Sequence, residues 1–73
     1  MLCPEHALAD FEAAAKMGNA VAAYNAAFIR LERNESGDRK AAEQLLARAA
    51  MLGDAKSTKR LAELRHVPPT PKR

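Results

Sequence analysis

The sequence has no tryptophan, one cysteine, three aromatic side chains, three glycines and no long apolar run. Each shortage removes a class of answer. A single cysteine, Cys3, excludes an internal disulfide framework and any cysteine-rich zinc site. A free thiol fits a reducing compartment. No stretch approaches the ~20 apolar residues that a membrane-spanning helix needs. The opening "MLCPEH" lacks the basic region and apolar run of a secretory signal. The expectation is a cytoplasmic protein without a membrane partner. β-Branched residues are few and never alternate with polar ones, which speaks against a sheet. Because Phe11, Tyr24 and Phe28 are the only aromatics, much of the 48% hydrophobic content is alanine. A core then has to come from close approach of helices. At 73 residues a chain buries only roughly 60% of its unfolded surface, so stability is expected to be marginal.

What is present is helix punctuation. Pro4 suits a first helical turn, and Glu5 favours that end electrostatically. Leu8, Phe11 and Ala15 recur at helical spacing until Gly18 offers a left-handed stop. Asn19 can cap a second helix with Ala22, Ala26, Ile29 and Arg33 on one side. "NESG" is turn chemistry, and Asp38 stands at the cap of a third helix carrying Ala42, Leu45, Ala49 and Leu52. Gly53 stops that helix, and Asp54 caps a fourth in which Thr58, Leu61 and Leu64 form the apolar side. The reading is one all-α domain over 1–66, with helices at about 4–17, 20–33, 38–52 and 54–66. The segment "VPPTPKR", 67–73, cannot continue a helix and reads as a flexible basic tail.

The chain also repeats itself. "EAAAKMGNA" and "ARAAMLGDA" align at an offset of 35, pairing Ala14–Ala15 with Ala49–Ala50, Gly18 with Gly53 and Phe11 with Leu46. A period near 35 with helix–turn–helix content points to a helical solenoid. "FEAAAKMGNAVAAYNAA" and "DRKAAEQLLARAAMLGDA" resemble the Sel-one-like repeat, a relative of the tetratricopeptide repeat. Its signature is an aromatic, a double alanine, a glycine and an alternating-alanine helix start. The tetratricopeptide repeat itself would want a large residue early and a proline at the repeat end. Three departures from the Sel-one-like pattern stand out: Arg30 and Lys59 occupy positions where it usually has tyrosine, and its glycine-rich loop is shortened to "NESG". The resemblance implies a four-helix α-α superhelix of antiparallel helix pairs. It also implies a protein–protein interaction role, in a family common among bacterial adaptors. With one full repeat and two halves, the chain is expected to lean on end capping, self-association as a homodimer, or a partner. The stripes Glu5, Glu12, Lys16 and Lys56, Arg60, Glu63 are expected on the outer faces of the end helices.

Adding 35 maps Val21, Tyr24, Asn25 and Phe28 onto Lys56, Lys59, Arg60 and Glu63. In repeats of this kind these helices line the concave surface. The resemblance therefore implies a groove that is aromatic along one helix and basic along the next. The candidate partner-binding residues are Tyr24, Asn25, Phe28, Lys56 and Arg60, facing an apolar side chain beside an acidic one. The competing assignment puts Tyr24 and Phe28 in the core and the cations on a solvated end face. No catalytic residue, cofactor or metal ligand is expected. His6 and His66 stand far apart in sequence, Cys3 lacks a positioned base, and Glu32, Glu35 and Asp38 suit loop and cap roles. The small adaptor or inhibitor so described has one rival, a nucleic-acid-binding accessory protein. Net charge is +3, and from Asp54 onward six basic residues face two acidic. Lys56, Lys59, Arg60, Arg65, Lys72 and Arg73 could contact phosphates. No aromatic is interleaved with them for stacking, which disfavours nucleic acid. The tail "PPTPKR" also fits a short ligand pattern for polyproline-binding domains.

Overall fold

The computed structural model describes residues 4–66. Cys3 and the 67–73 segment, with its expected looseness, its ligand pattern and Lys72 and Arg73, lie outside the described residues. Four helices follow in order: α1 (Pro4–Lys16), α2 (Ala20–Arg33), α3 (Asp38–Met51) and α4 (Ala55–His66). The described residues contain no strand. Each helix packs on its neighbours in sequence, so the chain is a run of antiparallel hairpins. The molecule is 18 Å through its thinnest dimension, about two helix layers.

The two repeat copies build the same turn. Asn19 N–H donates to Ala14 O at 3.1 Å and Gly18 N–H to Ala15 O at 3.0 Å. Thirty-five residues on, Asp54 N–H reaches Ala49 O at 3.0 Å and Gly53 N–H reaches Ala50 O at 2.9 Å. These pairs are the two bonds of a Schellman stop, with φ of 93° at Gly18 and 97° at Gly53. A Cβ at either glycine would meet nothing within 4 Å. The positive φ, not lack of room, is therefore what demands glycine. Past each stop a side chain caps the next helix. Asn19 Oδ1 accepts from Ala22 N–H at 2.9 Å, and Asp54 Oδ2 from Ser57 N–H at 2.8 Å.

Packing rests on alanine. Ala22, Ala23, Ala26 and Ala27 are all buried, because α2 lies between α1 and α3 and needs two small-residue faces rather than the one expected. Ala27, Ala42, Leu46 and Leu61 form one cluster, with Tyr24, Leu31, Leu45 and Leu64 against it. Ala15, Ala23 and Ala49 form a second where three helices meet near the turns. On α4 it is Ser57, not Thr58, that is buried, with its hydroxyl donating to the capping Asp54.

Asp38 is not the cap of α3. That place belongs to Gly37, at φ 85° and without a side-chain bond, while Asp38 is the first helical residue and 1% exposed. Its carboxylate receives Arg33 Nε and Nη2 and Arg30 Nη1, each at 2.9 Å, and also Glu35 N–H. Arg30 Nε reaches across to Glu12 at 2.6 Å, so one guanidinium joins α1, α2 and α3. Glu12 thus faces α2 and is not part of an outer stripe.

Candidate functional site

Helix α2 presents Val21, Tyr24 and Phe28 one turn apart, and the first turns of α4 bring Lys56 and Arg60 beside them. Tyr24 is half-buried, its ring packed on the Ala27–Leu46–Leu61 cluster. Lys56 Nζ lies 5.4 Å from the Tyr24 ring centroid, a cation–π contact. Phe28 remains 51% exposed, far more than a core phenylalanine would be. Tyr24, Phe28 and Arg60 line one notch of about 10 Å³, closed below by Ala27, Leu31 and Leu46. That volume holds at most about one water. The face is a surface for contact, not a small-molecule pocket.

Four of the five residues expected there, Tyr24, Phe28, Lys56 and Arg60, therefore come together. Asn25 is half-buried on α2 and lines neither this notch nor the neighbouring recess. Lys56 and Arg60 do not mark an outer face of α4, since they turn toward α2. Among the described residues Arg60 pairs with Glu63 at 3.4 Å, an exposed geometry worth little in water. On its other side Phe28 borders a recess of about 460 Å³ shared with Glu5, Ile29, Glu32 and Arg33. His6 and His66 are both exposed.

Two features were not anticipated. Between α1 and α3 runs an open slot of about 730 Å³, walled by Ala9, Ala13, Ala41 and Leu45 and floored by the Glu12–Arg30 pair. At its end Arg48 donates from Nε to Ala15 O at 3.1 Å and from Nη2 to Lys16 O at 3.3 Å. It thereby satisfies carbonyls that the end of α1 leaves open. The other feature is the carboxylate–guanidinium cluster. The Arg33 guanidinium, with Glu35 N–H and Arg30 behind it, holds the Asp38 carboxyl well below the usual carboxylate range despite burial. Glu12 and Asp38 raise Arg30, and Asp38 raises Arg33. Asp54 is likewise lowered by its bonds from Ser57. The departure at Arg30 was the available signal: a long cation in place of an aromatic, between packed helices, requires carboxylates from its neighbours.

No protein-family model matches the chain, and no match is found among characterised proteins or among solved structures.

Proposed function

We propose that the protein is a protein–protein interaction module, a small adaptor or inhibitor, that receives a partner segment on the α2–α4 face. One observation carries this reading. A half-exposed phenylalanine stands beside a tyrosine and two cations that no buried carboxylate offsets. Aromatic and arginine side chains dominate the binding energy of protein interfaces. The matching segment is apolar with a carboxylate nearby, so that its apolar side chain covers Phe28 and its charge meets Lys56 or Arg60. The Sel-one-like resemblance supports the same class of function.

The test is a peptide array screened with the whole protein, followed by titration of the best acidic–apolar sequence. Arg60→Ala is expected to leave Tm almost unchanged and to weaken that peptide by ~1 kcal/mol or more. The reading fails if Arg60→Ala binds as the parent does. The nucleic-acid alternative predicts tight binding to generic duplex or single strands that falls steeply with salt. We expect no such binding at physiological salt.

A further inference from the structure

Of the five large apolar side chains left exposed among the described residues, four gather at one end of the molecule: Met17 (88%), Val21 (62%), Met51 (89%) and Leu52 (49%). This is the end where the α1–α2 and α3–α4 turns stand side by side. The Arg48 bonds to Ala15 O and Lys16 O tie the last turns of α1 and α3 together. The Lys56 contact with Tyr24 ties together the first turns of α2 and α4. The same end carries Lys16, Arg48, Lys56 and Lys59. Of the acids nearby, Asp54 has its carboxylate occupied by Ser57 N–H and hydroxyl, and Glu12, on the recess that Met17 borders, is paired with Arg30. Apolar side chains project among these cations: Arg48 is held by the α1 carbonyls and Lys56 by the Tyr24 ring and nearby Asp54, while Lys16 and Lys59 stand exposed for an anionic surface.

We propose that this end is a docking surface for an anionic lipid bilayer, lying in the headgroup region without crossing it. Unbranched methionines adapt to a fluid boundary without a matching pocket. Lysine and arginine keep their charges at headgroup level while their stems follow the apolar tips inward. A second copy of the chain is a poorer occupant, because an end-to-end contact would set the Lys16, Arg48, Lys56 and Lys59 groups of both copies against each other. A protein partner would have to supply the groove, since these turns are convex and only Met17 borders a recess. The expectation of no membrane partner rested on the lack of a spanning segment. No helix among the described residues is long and apolar enough to cross a membrane, but surface contact needs none.

Neither signal suffices alone, so binding should need both anionic lipid and the apolar tips. The test is co-sedimentation of the full chain with vesicles of phosphatidylcholine, alone or mixed with phosphatidylserine, over a range of salt. We expect partition into the mixed vesicles at low salt, about tenfold or more above pure phosphatidylcholine, declining as salt rises. Met17→Ser with Met51→Ser should lower it about fivefold or more with the circular dichroism spectrum unchanged. Lys16→Glu should lower it about tenfold. Ser36→Ala, in the α2–α3 loop at the opposite end, should leave it unchanged. Absence of sedimentation with the mixed vesicles at low salt overturns the proposal. So does a double methionine variant that sediments like the parent, which would leave only generic charge attraction. A soluble acidic protein whose binding is lost in the double variant, when vesicles are ignored, assigns this end to a protein partner instead.

Discussion

Asp38 accepts four hydrogen bonds at full burial, from two arginines of α2 and the backbone of the connecting loop. A buried carboxylate stays ionised only with such partners, and removing its charge strands two guanidinium groups beside a neutral amide. Asp38→Asn is therefore expected to lower Tm by more than ~5 °C in a domain of this size. The pH dependence follows from the sign of the shift. The folded carboxyl is depressed below its unfolded value, near 3.9. Its contribution is complete above that value and is lost as pH falls below about 4 toward the depressed folded one. Parent and Asp38→Asn thermal melts by circular dichroism should differ by a constant amount above pH 5 and converge below pH 4, roughly. A gap that stays constant down to acid pH would show that the charge is not what matters.

Among the helices, the two Schellman turns explain why the chain repeats. Each stops one helix and positions the cap of the next within three residues, so consecutive helices fold back antiparallel on short turns. Gly53→Val should cost about 1–3 kcal/mol, because a β-branched residue resists φ of 97° even though the space around the position is open. Alanine at the same position should recover only part of that loss, since the obstacle is the backbone angle and not crowding. Urea unfolding of both variants checks this. Equal stability of parent and valine variant would mean that the turn has another conformation available.

The molecule as a whole has a thin core. Leu46 is the one large apolar side chain more than 98% buried among the described residues. A chain of 73 residues has a total stability of roughly 4–11 kcal/mol. Leu46→Ala should remove about 2–5 kcal/mol of it, enough to leave a measurable unfolded population at 37 °C or so. Phe28→Ala is expected to cost far less, about 1 kcal/mol, because half of that ring is already in water. Denaturant melts of the pair decide between the two assignments of Phe28. If its truncation costs as much as that of Leu46, Phe28 belongs to the core, and only the basic half of the α2–α4 face remains for a partner.

Helix number, order and limits were legible in the residues because the signals are local. Gly18, Asn19, Gly53 and Asp54 act through bonds to residues no more than five positions away, and Pro4 through the N–H it lacks at the start of α1. The 35-residue offset mapped Val21 and Asn25 onto Lys56 and Arg60, and the structure sets Lys56 and Arg60 beside Tyr24 and Phe28, while Asn25 stays apart. What the chain could not reveal depends on partners distant in sequence. Asp38 has the local pattern of a cap, yet Arg30 and Arg33 draw it inward, and Glu12 reaches Arg30 from eighteen positions before. Ser57 and Thr58 are chemically alike, and it is the face that α4 turns toward α3 that makes the former the buried one. The slot between α1 and α3, and the gathering of Met17, Val21, Met51 and Leu52 at one end, likewise arise when the two hairpins stack. Local hydrogen bonds thus set the elements, while long-range charge pairing and helix packing decided which faces stayed open.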